Sequence, residues 1–211
     1  MRFLACLTLA AVIPAQNVLV YDNGTFVTNP TGGLGGAPVS ELQTATPYFL
    51  NVLGFNANNA ANVRQTDEFT VNTSLSINEV ELFFYNTNAV APSCTGVFLS
   101  IFDGNPQTGT PNQLIPGAGA LINLIGATGF TVNNTLSGIY RVTTTTLTST
   151  ARQIQSVRIT LPSTLTLANG TYYIQYSFTA TTTPEPATVF LFGTGAAALV
   201  GRSRARRSSK K

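Results

Sequence analysis

Short runs of alternating hydrophobic and polar residues occupy the chain from about residue 17 to residue 180. Gly, Pro and Asn separate these runs, and none keeps the 3.6-residue period of an amphipathic helix. Val, Ile, Thr, Tyr and Phe dominate them, as is typical of strands on a half-buried sheet. The pattern predicts strands, in chain order, at residues 17–21, 68–71, 75–85, 95–102, 139–146, 153–161 and 171–179.

The clearest of these strands is Leu75–Tyr85, which reads LSINEVELFFY. Leu82 and Phe84 fall on one face of it, while Glu79 and Glu81 fall on the other, because neighbouring side chains alternate across a strand. Many short strands with turn residues between them are typical of two packed sheets. The fold class predicted for residues 16–180 is therefore all-β, an antiparallel β-sandwich or a jelly-roll-like domain.

The two ends of the chain differ from this body. Residues 1–15 contain Arg2, an apolar stretch and a small residue, Ala15, after Pro14. This order predicts a secretory signal peptide, since the apolar stretch is too short for a spanning helix.

The C-terminal end, residues 181–211, has three parts. Residues 181–186 (TTTPEP) contain Pro184, Glu185 and Pro186, and two prolines so close together favour an exposed, extended peptide. Residues 187–201 are uncharged and predict a short transmembrane helix. Residues 202–211 contain six cations, which by the positive-inside rule stay cytoplasmic. The arginines expected to set this topology are Arg202, Arg204, Arg206 and Arg207.

Composition and charge narrow the function classes. Only 9% of the residues are charged, against roughly 25% in an ordinary soluble domain. Residues 17–183 hold four arginines and seven acids, so the body is acidic although the whole chain carries +3. That balance argues against a nucleic-acid partner. The absence of histidine excludes a Ser-His or Cys-His nucleophile system. No enzyme activity, cofactor or metal is predicted.

Four groups of residues were weighed for chemistry. Glu79 and Glu81 have a spacing that a glycosidase pair would permit, but two solvated glutamates are the simpler interpretation. Asp103 opens a turn that has oxygen ligands for Ca²⁺ but no second acidic cluster nearby. Cys94 is expected to be a small, partly buried hydrophobic residue. An aromatic sugar-binding face could form from Phe83, Tyr85, Tyr172, Tyr173 and Tyr176, whose rings offer flat apolar area. The candidate glycan contacts among them are Tyr172, Tyr173 and Tyr176.

The three-part end resembles a known sorting signal. A PEP tripeptide, a short membrane segment and an arginine cluster, in that order, are similar to the PEP-CTERM signal of bacteria that make exopolysaccharide. The resemblance implies an exosortase as processing enzyme, recognition at Pro184, Glu185 and Pro186, and cleavage near them. It also implies transient anchoring in the inner membrane, followed by release to the cell surface or extracellular matrix.

A second resemblance concerns the body. Residues 21–44, which begin YDNGTFVTNPTGG, and residues 67–71 (DEFTV) are similar to β-sandwich proteins often found with this signal. That resemblance adds no catalytic residue. The predicted function is an exported structural protein of the cell surface or biofilm matrix. A carbohydrate-binding module associated with exopolysaccharide is the alternative, and a secreted hydrolase is the third class.

Overall fold

The computed structural model describes residues 26–44, 53–117, 119 and 121–181. The predicted signal peptide, the strand at 17–21, the PEP tripeptide, the membrane segment and the arginine cluster lie outside these residues. The described part contains eight strands and two short 3-10 helices, at Leu34–Gly36 and Asn59–Ala61. The strands are β1 Val39–Glu41, β2 Gln65–Val71, β3 Leu75–Tyr85, β4 Cys94–Phe102, β5 Gln113–Ile115, β6 Thr131–Val142, β7 Gln153–Leu167 and β8 Gly170–Ala180.

The strands form two four-stranded sheets, which confirms the all-β prediction. Sheet A has the order β1-β6-β7-β3, and sheet B has the order β2-β8-β4-β5. All pairs of these strands are antiparallel except β1–β6, which is parallel and lies at one edge of sheet A. Because a parallel partner needs a long crossover connection, β1 and β6 are far apart in the sequence.

The core lies between the inner faces of the two sheets. Leu82 and Phe84 of β3 face Val97, Leu99 and other apolar residues of sheet B, as the alternation of β3 and β4 predicted. The rings of Phe84 and Phe178 stack across the sandwich with centroids 4.6 Å apart and an interplanar angle of 18°. Aromatic stacking adds to the apolar area that these rings bury, so this pair joins the two sheets at the centre of the core.

A second set of buried residues lies outside that core cluster. Its apolar members are Val39, Leu42, Tyr85, Val142 and Ile154. Tyr85 lies on the face of β3 opposite Phe84, so burial there requires cover from outside the sandwich.

Arg141 is buried beside these residues and ties the covering segments to β6. It donates from Nε to the carbonyl of Leu53 at 2.9 Å and from Nη1 to Ser40 Oγ and the Glu41 carbonyl at 3.2 and 3.3 Å. Desolvation by burial lowers the pKa of Arg141 from 12.5 to about 10, against a smaller opposing effect of Tyr85.

Strand bounds differ from the prediction at several places, since β1 at residues 39–41 was not predicted and β2 begins at residue 65 rather than 68. β3 has the predicted bounds, but β6 covers residues 131–142 rather than 139–146. β7 continues through Pro162 to Leu167. Pro162 is tolerated because neither neighbouring strand pairs with β7 at that residue. The pairing of β6 with β7 ends at Thr160, and β3 has a bulge between Ile77 and Glu79 opposite Pro162. The short strand β5 lies in a segment for which no strand was predicted.

Candidate functional site

A groove crosses the outer face of sheet A, on the side away from the core. It has a volume of about 410 Å³, which is within the range of small-ligand sites. Strand β6 supplies three residues to it, including Ser137, and strands β7 and β3 supply two each. Six of these seven residues form two cross-strand rows. Asn133, Arg158 and Glu81 form one row, and Thr135, Ser156 and Phe83 form the other. We call this site the outer groove.

Two aromatic rings form an apolar patch in the outer groove. Phe83 points away from the core because Leu82 and Phe84, its neighbours in the strand, point into it. Phe26, from the segment before β1, packs on Phe83 with ring centroids 4.7 Å apart and an interplanar angle of 33°. The patch therefore depends on two segments that are far apart in the sequence.

The charged residues of the outer groove are paired with one another. Arg158 lies 3.3 Å from a carboxylate oxygen of Glu79 and 3.6 Å from one of Glu81. Ser156 donates its hydroxyl to Glu81 in a short hydrogen bond. The lining itself holds one cation, Arg158, and one anion, Glu81, and the carboxylate of Glu79 beside them brings the sum to −1, so this surface disfavours an anionic ligand. An uncharged polar ligand with one apolar face suits it best.

The glutamates that were weighed as a hydrolase pair are the same Glu79 and Glu81. Both carboxylates face Arg158, and Glu81 accepts from Ser156 as well. This arrangement supports the solvated, ion-paired interpretation rather than a general acid and base.

The three tyrosines proposed as glycan contacts do not share a surface, so that hypothesis was wrong for two of them. Tyr172 and Tyr176 are 9% and 1% exposed and lie in the core. Tyr172 stacks on Phe69 at 5.8 Å. Burial raises the pKa of Tyr176 well above 10, with a smaller contribution from Asp67. The physical reason is alternation: Tyr172 and Tyr176 share their face of β8 with Ile174 and Phe178.

Tyr173 points to the opposite side of β8. Its hydroxyl donates to Glu68 Oε2 at 2.6 Å, and this hydrogen bond is the main cause that raises the pKa of Tyr173. The outer groove lies on the other sheet, so Tyr173 has no part in it.

Two other candidates have structural partners. Asp103 accepts the backbone N–H of Asn112 through Oδ1 and its side-chain amide through Oδ2, both at 2.7 Å. These contacts make Asp103 the closing residue of the 103–112 loop. Within the described ranges, no group of three or more acidic or cysteine side chains is placed to hold a metal ion. Cys94 is half-buried at the start of β4, and its thiol donates to the Gly96 carbonyl at 3.3 Å.

The outer groove itself escaped the sequence analysis. Asn133, Thr135 and Phe26 were not singled out, since the first half of β6 was not predicted as a strand. The alternation of exposed and half-buried residues in TVNNTLSG was the signal that could have found it, because Asn133 and Thr135 share one face.

Comparison with known proteins yields one match. The family model described as the PEP-CTERM protein-sorting motif matches residues 182–207. No curated protein and no solved structure matched the chain. Among the residues that the structure describes, no helix is long and apolar enough to cross a membrane.

The match confirms the sorting signal inferred from the tail. Such a motif implies exosortase processing, export with transient membrane anchoring, and a cell-surface destination in bacteria. It begins at Thr182, directly after Thr181, whose N–H donates to the Ser93 carbonyl at 3.0 Å. The folded body and the sorting motif therefore adjoin without an intervening linker.

Proposed function

We propose that this chain, which carries a PEP-CTERM sorting motif, is the precursor of a structural protein of the bacterial cell surface or extracellular matrix. The observation that carries the proposal is the junction at residues 181 and 182. The last strand, β8, pairs with β4 up to Ala180, and the motif follows at once. A cut near the PEP tripeptide leaves every described strand of the sandwich intact.

The composition of the body supports a structural role. The few charged residues of the body leave a surface of Thr, Asn and Ser, which stays hydrated without a strong field. The carboxylates of Glu79 and Glu81 are engaged by Arg158, and we propose no catalysis for them.

Intact mass of the protein recovered from its native host tests the sorting proposal. We expect the exported form to lack the cations Arg202 to Lys211, and a Glu185→Ala variant to keep them in the membrane fraction. A Thr183→Ser variant, which leaves the tripeptide unchanged, should be processed like the wild type. Exported protein that retains residues 202–211 would contradict the proposal.

A second candidate function, saccharide binding, is favoured by the outer groove. A saccharide site needs apolar rings that pack on the faces of the sugar. It also needs amide or hydroxyl groups that hydrogen-bond the hydroxyls of the sugar. Phe26 and Phe83 supply the first, and Asn133 and Thr135 supply the second. The groove's net charge of −1 points to neutral sugar units rather than uronic acids.

Affinity electrophoresis in gels that contain a neutral matrix polysaccharide tests this second function. Saccharide binding is supported if the polysaccharide slows the migration of the wild type and does not slow that of a Phe83→Ala variant. The matched control is Tyr173→Ala, which removes a ring from the outer face of the other sheet and should keep the retardation. Equal migration of all three proteins with every neutral glycan tried would contradict saccharide binding, and the structural role would remain as the proposed function.

A further inference from the structure

Exposed hydrophobic side chains are concentrated where the tail leaves the sandwich. Strand β8 ends at Ala180, which pairs with Cys94 at the start of β4. The loop of residues 86–93 and the loop of residues 121–125 lie beside this point. We call the surface formed by these two loops and the last residues of β8 the exit end.

Hydrogen bonds place both loops there. Thr181 donates to the carbonyl of Ser93, so residues 86–93 adjoin the first residue of the tail. Asn123 donates its side-chain amide to the Thr95 carbonyl at 3.2 Å, and Thr95 bonds Thr179 at 3.4 Å between hydroxyl oxygens. A path of two hydrogen bonds thus connects loop 121–125 to the end of β8.

Large hydrophobic side chains are exposed in these same loops. Val90 is 92% exposed, and Leu121, Ile122 and Ile125 are each more than one third exposed. Phe55, 46% exposed, lies two residues before Ala57, whose carbonyl accepts the N–H of Phe178 on β8. Of the six large hydrophobic residues exposed in the described ranges, Leu34 alone is not linked to this end by such contacts.

The charge pattern at this end suits a lipid surface. No charged residue occurs between Asp103 and Arg141, so loop 121–125 and its flanks are neutral. Two arginines lie nearby: Arg64 directly precedes β2, whose first residue pairs with Tyr176, and Arg152 directly precedes β7. Neutral apolar loops with arginines around them are typical of surfaces that enter the headgroup layer.

The length of the connecting chain brings this end to the membrane. Five residues, 182–186, separate Thr181 from the apolar segment that starts at residue 187. Fully extended, a chain of that length spans at most about 20 Å. The headgroup region on each side of the hydrocarbon core is itself roughly 5–8 Å thick. The exit end is therefore held against the bilayer for as long as the tail is inserted.

We propose that the exit end is a second membrane contact, in which Val90 and loop 121–125 enter the interfacial layer while the tail is anchored. The contact orients the sandwich upright and keeps the PEP tripeptide at the bilayer surface, where a membrane-bound processing enzyme works. This inference rests on the anchored stage that the sorting motif implies. After cleavage the single apolar surface is too small to hold the body, which leaves the membrane.

The test uses the full chain in vesicles of phosphatidylethanolamine and phosphatidylglycerol, with Cys94→Ala to remove the native thiol. An environment-sensitive NBD dye is attached at Ile122→Cys or, because that side chain is only 39% exposed, at the more exposed Val90→Cys. The matched control is Ser74→Cys, in the exposed turn between β2 and β3 at the opposite end of the sandwich. Flotation of the vesicles reports tail insertion independently.

We expect the dye at residues 90 and 122 to shift its emission to shorter wavelength and to be quenched by doxyl-labelled acyl chains, while the dye at residue 74 stays unquenched. If the protein floats with the vesicles but the dyes at residues 90 and 122 behave like the dye at residue 74, the inference is wrong. The sorting proposal is not affected by that result. Equal quenching at all three positions also overturns it, since the body would not be upright. Protein that does not float with the vesicles refutes the anchored stage, and the inference fails with it.

Discussion

Burial of the Cys94 thiol predicts a loss of stability in mild alkali. Cys94 lies at the start of β4 against the core, and desolvation raises the pKa of its thiol from 9.0 to about 11, with a smaller opposing effect of the Gly96 backbone. In the unfolded chain the thiol ionises near pH 9. Between pH 9 and 11 the folded state therefore holds a proton that the unfolded state has lost, so the stability that Cys94 contributes below pH 9 falls as pH rises.

The size of the effect follows from the two pKa values. One pKa unit corresponds to about 1.4 kcal/mol, so the complete effect of a shift from 9.0 to about 11 is at most roughly 3 kcal/mol. At pH 10, where the unfolded thiol is mostly ionised and the folded thiol is not, the expected loss is roughly 1 kcal/mol relative to pH 8. Tyr173 and Tyr176, whose pKa values are also raised in the folded state, lower the stability in the same direction as pH rises, and this contribution is common to the wild type and a Cys94 variant.

A Cys94→Ala variant isolates this contribution. Urea unfolding followed by far-ultraviolet circular dichroism gives the free energy of unfolding at pH 8 and at pH 10 for each protein. We expect the wild type to lose roughly 1 kcal/mol more than the variant between the two pH values. A Thr95→Ala variant, which changes an exposed neighbour without an ionisable group, should keep the wild-type pH dependence. Parallel losses in wild type and Cys94→Ala would refute the argument that burial holds the thiol protonated.

Three further changes test the packing of the body by the same unfolding assay. Phe178→Ala removes one ring of the stack that joins the sheets and should lower the free energy of unfolding by about 3–5 kcal/mol, whereas the exposed Tyr173→Ala should change it far less. Gln155→Leu should lower it by about 1–3 kcal/mol, because the fully buried amide accepts the N–H of Ser93 and donates to its hydroxyl. Arg141→Met should lower the free energy of unfolding by about 2–4 kcal/mol, since buried carbonyls lose a charged donor. An effect near zero in Gln155→Leu or Arg141→Met would show that water replaces the lost hydrogen-bonding group.

Local pattern was enough to predict the strands with strong alternation. β3 has the predicted bounds, and the predicted starts of β4 and β8 are within one residue of those observed. In these segments β-branched and aromatic residues are frequent and the buried ones fall mostly at alternate positions, so propensity and burial agree. The first half of β6 was missed because Asn133, Asn134 and Gly138 weaken that signal, and there pairing with β7 decides the structure.

The candidate site depended on information that a single strand does not contain. Glu81 and Arg158 are 77 positions apart in the sequence, and they meet because β3 and β7 pair in one particular register. Phe26 reaches Phe83 from a segment that lies outside both strands. The fate of the tyrosines was more accessible, since Tyr172 and Tyr176 alternate in phase with Ile174. The sorting signal was the reverse case, because its three parts follow one another in the sequence and need no fold to be recognised.

The position of β8 in sheet B has a consequence for the order of events during export. β8 lies between β2 and β4, yet it is the last strand of the body to emerge during synthesis. Until it emerges, β2 has no partner in its sheet, and sheet B consists of β4 and β5 alone. By then only a few residues separate the growing sandwich from the segment that enters the bilayer. The body thus completes its folding beside the membrane, and an enzyme that cuts the tail meets a domain that has just closed.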